Sequence, residues 1–69
     1  MPLSMADVGE KKCVIKVNGK DRQRKHLEKL GFVEGTEVTV VSEISGNMIV
    51  NVKDSRIAID KSLANRIIV

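Results

Sequence analysis

The ten residues from Asp21 to Leu30 contain neither glycine nor proline, and the pattern they form stops abruptly at Leu30-Gly31-Phe32-Val33-Glu34-Gly35-Thr36. Helix formers dominate, and Leu27 and Leu30, three apart, share a side, which predicts a short helix of about three turns. Gly31 falls where a left-handed residue ends a helix, a conformation that costs other residues roughly 1 to 2 kcal/mol. Lys29 suits the C-terminal end of the helix dipole. Everywhere else the apolar residues recur in twos, so one helix must be accommodated by a chain of short strands.

Cys13, Ile15 and Val17 alternate with Lys12, Lys16 and Asn18, which predicts a strand with the first three residues facing inward and Asn18-Gly19 as its turn. Beyond Glu34-Gly35, Val38, Val40 and Ile44 alternate with Ser42 on the same face, and Met48, Val50 and Val52 do likewise. The Ser45-Gly46-Asn47 segment between them, with Gly46-Asn47 as the turn, makes these two runs a hairpin. Asp54-Ser55 reads as a second tight turn into a strand with Ile57 and Ile59 inward. Asp60 and Ser62 can start one helical turn before Arg66-Ile67-Ile68-Val69 forms a last strand. Five short antiparallel strands, with one helix inserted after the first, hold too little material for two full layers. A mainly β, small SH3-like barrel is the economical arrangement. Pro2, the only proline, lies outside every predicted element.

Sixty-nine residues imply a single domain over 1–69. A chain of this size buries only about 60% of its unfolded surface, so a deep substrate cleft is not expected. With 42% apolar and 30% charged residues, the chain can form a core and still present a polar surface. The single cysteine permits no internal disulfide, which fits a reducing compartment. The first nine residues carry neither the basic start nor the apolar run of a signal peptide, and no apolar run approaches the roughly 20 residues that cross a bilayer. A cytoplasmic location is expected, with any membrane role exercised through a partner.

The ligand inventory is poor. His26 and Cys13 are single, fall in different elements, and have no CxxC, HxxxH or clustered carboxylates beside them, so no metal site is expected. Cys13, sharing a face with Ile15 and Val17, reads as a buried packing thiol, and His26 as a solvent or core-edge residue. The serines, Ser4, Ser42, Ser45, Ser55 and Ser62, show no pattern with His26 that nucleophilic catalysis would need. The phosphate-cradling glycine motif is absent as well. No catalytic residue and no cofactor is expected, and hydrolysis of GTP by this chain is excluded from the reading.

Charge is distributed unevenly. Lys20, Arg22, Arg24, Lys25 and Lys29 against Asp21 and Glu28 hold the whole net charge of +3. The helix surface therefore reads either as a solvated face or as a patch on which Arg22, Arg24, Lys25 and Lys29 meet acidic groups of a partner. Val33, apolar and at a turn, joins them as a candidate contact residue. Phe32, the only aromatic, is expected in the core, where its burial contributes roughly 1.5 to 3 kcal/mol.

Several of these residues together resemble the FeoA family, the small cytoplasmic proteins of bacterial ferrous iron uptake. The same SH3-like domain occurs at the C-terminus of some iron-dependent repressors. The resemblance is carried by Leu3 and Gly9, by Leu27, Leu30-Gly31-Phe32 and Gly35, by Arg56-Ile57-Ala58-Ile59, and by Ala64, Ile67 and Val69. Family members often have proline where this chain has Glu34, and many have an apolar hairpin tip where Ser45-Gly46-Asn47 stands. The resemblance implies a free-standing accessory protein for the membrane ferrous iron permease with its cytoplasmic GTPase domain. The competing expectation, a basic nucleic-acid-binding barrel, suits a sequence pI of 9.3 but lacks the aromatic platforms that single strands stack on.

Overall fold

The computed structural model describes all residues from Met1 to Val69. A 3-10 turn at Leu3–Met5 leads into β1 (Lys11–Cys13), β2 (Lys16–Val17), α1 (Asp21–Leu30), β3 (Glu37–Ile44), β4 (Asn47–Val52), β5 (Ser55–Asp60), α2 (Lys61–Ala64) and β6 (Ile67–Ile68). The strands form an antiparallel four-stranded sheet in the order β1-β3-β4-β5 and a two-stranded sheet of β2 and β6. Thirteen apolar residues fill the space between them, with Phe32, Leu3, Leu27, Met48 and Ile67 the largest that are fully buried.

The first predicted strand is divided, giving six strands instead of five. Lys11–Cys13 pair with Glu37–Thr39 of β3, whereas Lys16 and Val17 pair with Ile68 and Ile67. Between them the Val14 amide donates to the Thr36 carbonyl at 2.9 Å and the Ile15 amide donates to the Ile68 carbonyl at 2.7 Å. The chain thus leaves one sheet and enters the other at Val14, which points into the core. Cys13 is exposed rather than packed, and Ile15 is 57% exposed. Cys13, Val14 and Ile15 are all apolar, so the alternation can be read in two registers, and a one-residue slip exchanges inside for outside.

Ile44 is a second correction, because it is exposed rather than inward. Val38 and Val40 pair with Val52 and Val50 and are buried, but the register then shifts so that Ser42 lies opposite Ile49. The extra residue, Val41, is a β-bulge that reverses the facing of everything beyond it. Glu43 comes opposite buried Met48, and Ile44 comes opposite Asn47 at the hairpin end. Both hairpin turns lie one residue earlier than the sequence suggests. Ser45 and Gly46 have φ of 46° and 84°, and Lys53 and Asp54 have φ of 48° and 64°. Two consecutive positive φ values match the right-handed twist of the flanking strands.

The helix follows its expected bounds. Gly31 has φ 110°, its amide donates to the Glu28 carbonyl, and the Phe32 amide donates to the Leu27 carbonyl. Leu27 and Phe32 are fully buried and Leu30 packs against the core, so α1 is held by its apolar side and by its exit. The single turn of α2 begins at Asp60, whose Oδ1 accepts from the Leu63 amide and from Ser62 Oγ, each at 2.8 Å.

Candidate functional site

Positions along α1 separate its charges into two groups. Arg22 lies three and four residues before Lys25 and His26, and these lie four and three before Lys29, so the four form a single stripe. Gln23, Leu27 and Leu30 form another stripe, the one turned to the core. Asp21, Arg24 and Glu28 occupy the remaining side, where Arg24 Nη2 meets Asp21 Oδ1 at 2.8 Å. The helix therefore brings Arg22, Lys25 and Lys29 together and sets Arg24 apart, against its own acidic neighbour. The three stripe cations are exposed, and none makes an ion pair within the chain. Val33 is half-buried in the turn that follows Gly31, its carbonyl accepting from the Thr36 amide at 3.0 Å.

A second charged surface was not anticipated. The outer face of the four-stranded sheet holds an open depression of about 740 Å³ with no hydrophobic residue in its lining, bordered by Lys11, Glu37, Asn51, Lys53, Asp54 and Arg56 among others. Lys11 Nζ lies 3.6 Å from Glu37 Oε2, and Arg56 Nε donates to Asn51 Oδ1 at 3.4 Å. Its cations and carboxylates nearly balance, so it lacks the one-sided field of the α1 stripe. Outward positions of β1, β3, β4 and β5 and the Lys53-Asp54 turn supply these residues, and only the strand register brings them together.

Chemistry-bearing groups remain scattered. His26 is exposed on α1, Cys13 is exposed on β1, and no three His, Cys, Asp or Glu side chains converge. Two carboxylates are perturbed. Glu10 is held below the ordinary carboxylate range, first by the Asp7 amide that donates to it at 2.6 Å and then by Lys12 at 3.2 Å. Asp60 is lowered by the Leu63 amide and then by the Ser62 hydroxyl. Both shifts come from local hydrogen bonds at turn and cap positions, which are structural roles. No helix is long and apolar enough to cross a membrane.

The FeoA domain family matches residues 1–69, the full length of the chain. The chain belongs to the FeoA family. Among solved structures, it is 33% identical to an iron uptake regulatory protein, FeoA, over 96% of this chain and 88% of the other, with a TM-score of 0.88. It is 30% identical to the zinc-complexed FeoA of Stenotrophomonas maltophilia, over 99% and 87% of the two chains, with a TM-score of 0.87. That protein is described as a procaryotic SH3 domain protein and a candidate ferrous iron transport activating factor. A manganese-dependent transcriptional repressor shares the fold at 14% identity, with a TM-score of 0.87 over 97% of this chain and 39% of its own. No match was found among the curated proteins. The FeoA family consists of iron uptake accessory proteins, and this member has its SH3-like architecture.

Proposed function

We propose that this FeoA-family chain is a non-enzymatic accessory protein that acts on the cytoplasmic side of the membrane. It binds the ferrous iron permease through the permease's GTPase-containing part. The observation that carries this reading is the α1 stripe, in which Arg22, Lys25 and Lys29 are exposed and free of ion pairs while the rest of the chain is nearly neutral. Unpaired like charges on one rigid helix face steer encounter with an acidic surface and set its orientation. Val33, half-buried in the turn after the same helix, is the candidate apolar contact. Burial of Phe32 leaves no aromatic platform at the surface, which weighs against single-stranded nucleic acid as the partner.

The test is recovery of full-length permease by immobilised protein, with and without GTP analogues and at two salt concentrations. Converting Arg22, Lys25 and Lys29 together to glutamate should abolish recovery, while Arg24→Glu, on the other side of the helix, should reduce it little. Undiminished recovery by the triple variant would sink the assignment. Salt-sensitive retention of RNA or DNA in place of permease would move it to nucleic acid.

A further inference from the structure

Strand β5 ends the four-stranded sheet, so one side of its backbone has no strand beside it. The Lys53-Asp54 turn closes on the pair Val52 and Ser55, and antiparallel pairs alternate between bonded and non-bonded from there. Ile57 and Ile59 therefore bond to β4, while Arg56 and Ala58 direct their N–H and C=O groups away from the sheet. Neither residue takes part in any backbone hydrogen bond outside the ladders. Six residues of open edge would invite indiscriminate pairing unless the side chains restricted it.

The side chains on this edge carry a specific restriction. Arg56, Ala58 and Asp60 all face outward and are exposed. They form a sequence that is its own complement when reversed, with a cation and an anion at equal distances from a small residue. We propose that β5 is a self-pairing edge, on which a second copy of this chain docks antiparallel with Ala58 opposite Ala58. In that register Arg56 of each chain comes opposite Asp60 of the other, and Ile57 comes opposite Ile59 on the inner face. Centring on Ile57 also satisfies backbone geometry, but it sets Arg56 opposite Ala58 and runs Asp60 past the end of the partner strand at Ser55, so both Arg56–Asp60 pairs are lost. The methyl of Ala58 fits the centre of a two-fold axis, where a longer side chain would meet its own copy.

The local hydrogen bonds leave the needed atoms available. Ser62 and Leu63 both use Oδ1 of Asp60, leaving Oδ2 unengaged, and Asn51 takes only Nε of Arg56, leaving the two terminal nitrogens. A guanidinium and a carboxylate meeting across such a ladder form a directional, charge-assisted pair. The interface is isologous and closes at two chains, so an edge of this kind yields a dimer and no fibre.

Sedimentation equilibrium of the full chain over a concentration series tests the proposal. A concentration-dependent rise toward twice the 7.6 kDa of one chain is expected, weakened by added salt. Isotope-filtered NOESY on a mixed-label sample should give an interchain Hα contact between Ile57 and Ile59. Ala58→Pro removes an outward N–H without breaking a β4 bond, and should leave a folded monomer. Arg56→Glu, at an exposed position, should raise the dimer dissociation constant at least tenfold, and it supplies the same reading should proline disturb the fold. A single 7.6 kDa species at every concentration, or a dimer unaffected by Arg56→Glu and lacking the Ile57–Ile59 contact, would overturn it.

Discussion

The amide of Phe32 donates to the carbonyl of Leu27 at 3.0 Å, and both side chains are fully buried. One pair of residues thus ends α1 and anchors it to the core. Gly31 between them supplies the left-handed conformation this exit needs, and a Cβ there would lie 3.4 Å from Val52 Cγ2. Gly31→Ala is therefore expected to cost about 1 to 2 kcal/mol, read as a lower urea midpoint with an unchanged slope. Leu27→Ala should cost more, about 2 to 5 kcal/mol, through the cavity it leaves.

The Lys53-Asp54 turn offers a gain. Both residues hold positive φ without being glycine, whereas asparagine followed by glycine favours that geometry. Replacing the pair by Asn-Gly should stabilise the protein by about 1 kcal/mol, measured by the same denaturation. No gain, or a loss, would mean that the lysine or aspartate side chain contributes more than its backbone costs.

Two carboxylates tie local structure to pH. Asp60 and Glu10 are lowered in the folded protein by hydrogen bonds that only their charged forms accept well. A lowered folded pKa stabilises above the ordinary carboxylate range and loses that effect as pH falls through the lowered value. The Leu63 and Asp7 amide resonances should accordingly hold their positions down to the ordinary carboxylate range and move below it. Asp60→Asn should retain the start of α2 and remove the pH response at Leu63.

Cys13 provides a direct check on the split first strand. Being exposed, its thiol should react fully with a thiol-specific reagent in the native protein, before any denaturant is added. Cys13→Ser should leave the thermal midpoint within a degree or so, as expected for a surface substitution. A thiol that reacts only after unfolding would place the residue inside instead.

Elements governed by near-neighbour chemistry were legible in the sequence. The bounds of α1, the glycine at its end, the inward faces of β4 and β5 and the cap at Asp60 follow from spacing, backbone conformation and local hydrogen bonding. Cys13 and Ile44 were misplaced because their facing depends on which strand lies beside them. The sheet exchange at Val14 and the bulge at Val41 are set by tertiary pairing, and each reverses an alternation that looks regular in one dimension. The basic residues of α1 were visible as a group, but the separation of Arg24 from the stripe requires the helical geometry. The polar depression on the outer sheet face was invisible, since its members are scattered between Lys11 and Arg56.

The passage from β1 to β2 through Val14 belongs to both sheets within seven residues. Pulling away the small β2–β6 pair drags the buried valine out from beneath the larger sheet, and loosening the larger sheet releases the anchor of the smaller one. Neither half can melt alone, so tryptophan-free probes as different as amide exchange and far-ultraviolet dichroism should report a single, shared transition.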